Sequence, residues 1–243
     1  MRATTRFLAL VLVVLVHAGC ASTDARVAPG FEAQAAVPAR VIGRTVLLLP
    51  ADVVCAQVTA GGVAEPRADW TEAARANVEA ALERAFAARG ADLITYDRST
   101  ITPARAQAHD RVLKLNEAVG MSIYFMQDYL PTKRAVFEWS VGEGARSLGE
   151  DFDADYALFV FLRDSHASAG LVGMNVLKGV LALGGIPVGM TTGVHFGFAQ
   201  LVDLRTGQVF WFNKMTDMGP QADLRTGPDA ERSVGRLLQG CPL

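Results

Sequence analysis

The chain has 243 residues, 51% of them hydrophobic, and a formal net charge of −2. With charged residues at 20%, it is too apolar for a disordered chain and long enough to bury one sizeable core. The near balance of charge argues against a nucleic-acid binder, which carries a basic face, and no apolar run reaches the roughly 18 residues of a spanning helix.

The amino-terminal residues read as an address. Arg2 and Arg6 lead into Phe7 to Val16, an unbroken apolar run. As a helix that run rises about 15 Å, half of a hydrocarbon core, which suits a signal peptide and is too short for a permanent anchor. His17-Ala18-Gly19-Cys20 follows. Small residues at 18 and 19 admit a peptidase to the backbone, and the Cys20 thiol can accept lipid. This resembles the cleavage box of bacterial lipoproteins, with His17 where that group prefers leucine; the alternative is an ordinary secretory signal with a coincidental cysteine. The resemblance implies a signal peptide at 1–19, acylation (palmitate and related chains) at Cys20 and a membrane contact through that residue. Ala21-Ser22, in place of an aspartate directly after the cysteine, implies by the same resemblance the outer membrane and its periplasmic face. Residues 20–40 are small and polar with two prolines, and are expected to form a flexible tether to an α/β domain at 41–243. With Cys20 used by lipid, Cys55 and Cys241 remain. An oxidising compartment permits a disulfide between them; two unrelated buried thiols fit equally well.

The elements follow in order. Val46 to Pro50 (VLLLP) suits a strand buried on both faces, and Val53 to Thr59 a second, closed by Gly61-Gly62. Asp69 and Glu72 have capping-box spacing before a helix over about 70–89, which Gly90 ends. Leu93 to Tyr96 is the next strand. Thr102-Pro103 starts a long helix with Val112, Leu115, Val119 and Ile123 on one face and a bend expected at Gly120; Pro131 interrupts it. A further helix is expected over about 133–148, then a buried strand at Tyr156 to Leu162. Val194 to Leu204 and Gln208 to Asn213 flank Arg205-Thr206-Gly207 as a hairpin. Pro228 to Gln239 reads as a closing helix. DLRTG occurs at 203–207 and again at 223–227, which we read as coincidence. The order predicts a single α/β domain: a mixed sheet with flanking helices, a C-terminal antiparallel hairpin and a closing helix.

VLLLP, DADYALFVFL (153–162) and AQLVDLRTGQVFWFN (199–213) together resemble the CsgG-like superfamily of envelope lipoproteins, which includes the N-terminal domain of TolB-type proteins. The hairpin motif of that group is matched here by Val202, Asp203, Thr206, Gly207, Val209 and Trp211. The resemblance spans roughly residues 44–240 and implies a non-enzymatic role in envelope assembly or transport. No pair of long alternating hairpins of the sort a barrel-forming subunit needs is visible.

Gly170 to Gly193 is apolar and glycine-rich, with Lys178 as its one charge. Leu171, Met174, Leu177, Val180 and Leu181 form a helical stripe. It reads as a helix packed on the sheet, or as a contact with membrane, an envelope partner or a second copy; a phosphate loop is the third reading, though no Walker spacing is present.

Catalytic signals are thin. Asp164-Ser165-His166 is the tempting run, but successive residues of a strand point to opposite faces, so Ser165 and His166 would not meet. His109 and His195 are the other mature histidines. Glu143, Glu150, Asp151 and Asp153 read as a solvated acidic edge. No nucleophile elbow, zinc motif or cofactor fingerprint occurs, so no catalytic residue, metal or cofactor is expected. Convergence of three among Asp164, Ser165, His166, His109 and His195 in one pocket would reopen the question. The expected function is that of a lipid-anchored accessory or scaffold of the envelope; the alternative is a periplasmic binding module for a glycan or small lipid.

Overall fold

A computed structural model describes residues 20–28, 44–90, 93–183, 193–218 and 223–242. The expected signal peptide at 1–19, residues 29–40 of the expected tether and 41–43 at the start of the expected domain lie outside them. Nine strands form one sheet among the described residues: β1 (Cys20–Val27), β2 (Val46–Leu48), β3 (Asp52–Val58), β4 (Ala64–Pro66), β5 (Leu93–Thr95), β6 (Trp139–Ser140), β7 (Tyr156–Ala167), β8 (His195–Asp203) and β9 (Gln208–Met218). The helices are α1 (Ala68–Ala87), α2 (Pro103–Met126), α3 (Pro131–Arg134), α4 (Arg146–Phe152), α5 (Ala169–Leu183) and α6 (Gly227–Leu237). The mixed α/β architecture is the one the element order predicts.

The strands run β1-β9-β8-β7-β2-β5, with β3 beside the far half of β7, β4 beside β3, and β6 on β9. Strand β7 is the axis. Its apolar run is buried from Ala157 to Leu162, with Tyr156 half-buried at its start, as suits an interior strand. On one flank it pairs antiparallel with β8; on the other it pairs parallel with β2 along 156–158 and with β3 along 161–167. Pro50 cannot donate to a ladder, so VLLLPADVVCAQV crosses β7 as two strands instead of one.

Pairing fixes which side chains share a face. Cys55, Asp164 and His195 are mutual partners across β3, β7 and β8 and form one row. Helices α1 and α6 cover that face: Thr71 Oγ1 accepts the Cys55 N–H at 3.0 Å, and Ser233 Oγ lies 3.2 Å from His195 Nε2. The opposite face carries Phe161, Phe198 and Phe212 as a stack, with ring centroids 4.9 and 5.4 Å apart. Helix α2 lies on this stack through Gly120.

Several expectations are corrected. Residues 20–27 are not tether: they form β1, eight residues antiparallel to β9, because an open edge of β9 offers backbone partners to any extended chain that reaches it. Helix α1 begins at Ala68 after Arg67, with no side-chain cap; Asp69 sits in its first turn, ion-paired to Arg67 at 3.1 Å. The helix expected over 133–148 is broken. Gly142 takes φ +73°, the Val141 N–H donates to the Gly207 carbonyl at 2.8 Å, and Trp139–Ser140 adds to β9 as β6. The cap expected at Thr102 is present, its hydroxyl accepting the Arg105 N–H at 3.3 Å.

Gly120 has a packing reason. A Cβ there would lie 2.3 Å from the Phe198 ring, which is held in its stack on both sides. Overpacking of this kind costs about 1–3 kcal/mol. Gly120→Ala is expected to lower the melting temperature by about 2–10 °C, while Gly173→Ala, with open space around it, is neutral or slightly stabilising; calorimetry of both variants checks this.

Candidate functional site

Strand registers place Cys20 at one end of the sheet. It pairs with Met218, the last residue of β9. At the same end β8 begins with His195, β7 finishes with Ala167 and β3 finishes with Val58. Helix α5 leaves β7 there, and the β3–β4 turn touches its start: a Cβ on Gly170 would lie 3.8 Å from Cβ of Ala60. Cys20 and the start of α5 therefore lie at the same end of the sheet, three strand spacings or about 14 Å apart, and Cys20 is itself the first residue of β1.

The predicted contact stripe divides. Leu171 is fully buried and packs into the body, so it is not a contact residue; Leu171 N–H is held by Ser168 Oγ at 3.1 Å. Met174 is exposed, as is its unpredicted neighbour Val172. Leu177, Val180 and Leu181 fall within α5, and their side chains lie outside the described residues. Among the described residues no helix is long and apolar enough to cross a membrane.

Cys55 and Cys241 are not bridged. Gly240 packs beside Ala25 of β1, whereas Cys55 lies on β3, four strand spacings or about 19 Å across the sheet. A disulfide needs Cα atoms within about 7 Å. Burial pushes the Cys55 thiol up to about 12, helped by the nearby Asp164 charge. Maleimide is expected to label Cys241 in the native protein and Cys55 only after unfolding, and reductant is expected to leave the melting temperature unchanged.

The polar feature nearest the Cys20 end is built on Asp164. Its Oδ2 lies 2.9 Å from His166 Nε2 and accepts the Leu224 N–H at 3.0 Å; its Oδ1 lies 3.6 Å from His195 Nδ1. Asp223 stands 3.6 Å from His166 and is gripped by Arg225 at 2.7 Å. The Arg225 guanidinium lies 4.2 Å from the Trp70 ring centre, and that of Arg67 lies 4.8 Å from it. Burial drives the Asp164 carboxyl upward, yet the hydrogen bond from His166 and the nearby His166 and His195 rings outweigh it and hold it well below the usual carboxylate range.

Three groups from the catalytic shortlist thus converge: Asp164, His166 and His195. Ser165 does not join them. It faces away, its hydroxyl donating to the Val194 carbonyl at 3.1 Å and accepting the Val194 N–H at 2.8 Å. His109 is remote, on α2, with Nε2 3.0 Å from Asp151 and Nδ1 3.3 Å from the Tyr96 hydroxyl. The sequence missed Ser233, which completes a serine–histidine–aspartate order with His195 and Asp164. All three are at most 3% exposed, so no substrate carbonyl reaches the hydroxyl. Asp164, His166 and Asp223 also have donor atoms within 4.8 Å of one another. Those donors are already committed to a backbone N–H and a bidentate guanidinium. The cluster is a fastener that ties the 223–226 turn, and hence α6, to the sheet.

A buried carboxylate that loses its charge leaves its partners stranded, at about 3–5 kcal/mol. Asp164→Asn is expected to lower the melting temperature by roughly 6–20 °C. Because the folded-state value lies below the ordinary 3.8, the stabilisation is present above that value and fades as pH falls beneath it. Acid titration of wild type and variant should therefore converge only under strongly acid conditions.

Two grooves lie elsewhere. One of about 460 Å³ runs between α2 and α4, edged by Arg111, Arg146, Glu143 and Glu150 over Val112 and Val141. The other, about 220 Å³, lies beside Pro50, Lys114 and Phe159.

No family model matches the chain, and no curated protein matches it. Among solved structures it is similar to the PelC dodecamer from Paraburkholderia phytofirmans, at 12% identity over 91% of this chain and 96% of that one, with a TM-score of 0.40. A methionine-substituted form of the same dodecamer gives 12% identity, coverage of 91% and 97%, and a TM-score of 0.42. Likeness at this level says nothing about what this chain binds.

Proposed function

We propose that this protein is a lipid-anchored envelope component, acylated at Cys20 and held on the periplasmic face of the outer membrane as a non-enzymatic accessory or scaffold of another envelope complex, with a protein partner or a second copy as its client. One observation carries the reading. Cys20 opens an eight-residue strand in register with Met218, at the sheet end from which α5 also leaves. A lipid there tethers the folded body directly. The inaccessible Ser233 hydroxyl supports the non-enzymatic part, and the CsgG-like hairpin residues Val202 to Trp211 support the envelope role. The alternative, a periplasmic module binding a glycan or small lipid, is favoured by the groove edged by Arg111, Arg146, Glu143 and Glu150.

Each buried acyl CH₂ contributes about 0.8 kcal/mol, so two or more chains dominate the partitioning. Cys20→Ala is expected to move most of the protein from the outer-membrane fraction to the soluble periplasmic fraction and to remove the acyl mass from the intact protein. Unchanged mass and partitioning would refute the anchor.

A further inference from the structure

We infer that the Cys20 end of the sheet is itself a bilayer-contacting surface, its exposed aliphatic side chains dipping into the lipid headgroup boundary; this rests on the anchor proposed above and names the surface that the anchor presses down. Nine large apolar side chains are exposed among the described residues, and four of them belong to this one end: Val63 at 60%, Val172 at 51%, Met174 at 41% and Val194 at 37%. They come from three separate places in the chain. Val63 lies in the turn after β3, Val172 and Met174 in the first turns of α5, and Val194 immediately before β8. The registers bring them together: Val58 pairs with Ala167, and the Ser165 N–H donates to the Val194 carbonyl at 3.0 Å.

Phe125, 52% exposed, adds a fifth side chain on the α2 side. Its neighbour Tyr124 meets it edge to face with centroids 4.8 Å apart and bonds through its hydroxyl to Thr216, which pairs with Ser22. From β3 to β1 the row spans four strand spacings, about 19 Å, with Cys20 at its edge. The opposite end of the sheet is different in kind: its β8–β9 turn carries Arg205, 83% exposed in its side chain. Soluble surfaces seldom gather apolar groups at one pole, and an occupant is required. A bilayer is the occupant that the acyl site specifies, because chains leaving Cys20 fix the lipid surface at this pole. The only charge in α5, Lys178, suits an anionic headgroup layer.

The test uses the full acylated chain with Cys241→Ser, so that single cysteines at Val63, Val172 or Val194, or at Arg205 as the distal control, take a nitrobenzoxadiazole label. The labelled proteins are reconstituted in phosphatidylethanolamine–phosphatidylglycerol vesicles containing nitroxide lipid. The expected result is a blue-shifted emission and quenching roughly twofold or more above the Arg205 label at all three proximal positions. Equal, unquenched emission at all four positions overturns the surface even where intact mass confirms acylation. A blue shift that appears without vesicles and grows with protein concentration also overturns it, in favour of a second copy as occupant. Loss of the acyl mass itself marks failure of the anchor and is read separately.

Discussion

The register of β7 governs the molecule. It has two parallel partners on one flank and an antiparallel partner on the other, and it runs twelve residues, long enough to receive β2 and β3 in succession. A slip of one residue would turn Phe159 and Phe161 away from α2 and expel Asp164 from beneath α6. The two faces of the sheet would exchange chemistry: an aromatic stack on one side, a polar fastener on the other. Both helical layers are matched to this alternation, α2 by the bare backbone of Gly120 and α6 by Ser233.

Burying a carboxylate with two imidazoles is an expensive way to hold a turn, and the neighbourhood explains how it is sustained. Asp164 Oδ2 receives the Leu224 N–H as well as the His166 ring, while Oδ1 faces the His195 ring at 3.6 Å, so the charge sits among polar groups on both sides. The arrangement reads like a hydrolytic centre when atoms are listed by type. Burial separates the two readings: a nucleophile has to be reached, and this hydroxyl lies under α6.

Much of the fold is legible in local sequence. VLLLP, YALFVFL and the hairpin around Gly207 declare themselves through continuous or turn-bounded apolar runs, and Thr102-Pro103 through capping chemistry. The failures share a cause. Residues 20–27 and 139–140 have no strand signature; they become strands because β9 has an edge to fill. The repeated DLRTG shows the limit from the other side. In both copies the aspartate accepts the N–H two residues on, at 2.8 Å from Arg205 and 3.0 Å from Arg225. The same local turn then enters a strand in one copy and a helix in the other, because Gly207 adopts φ +73° under the Gly142 carbonyl while Gly227 opens α6. The Asp164 cluster was half visible: Asp164 and His166 are neighbours in sequence, but His195, Asp223 and Ser233 arrive only through pairing and helix docking.

The way β1 is attached has a mechanical consequence. A tug on Cys20 away from the body acts along the axis of the strand, while the ladder bonds to β9 stand across it. The rungs are loaded in shear and resist together, unlike a hairpin peeled from its tip, which yields rung by rung. Were Cys20 acylated as proposed, a pull on it along the strand would meet all of these rungs at once.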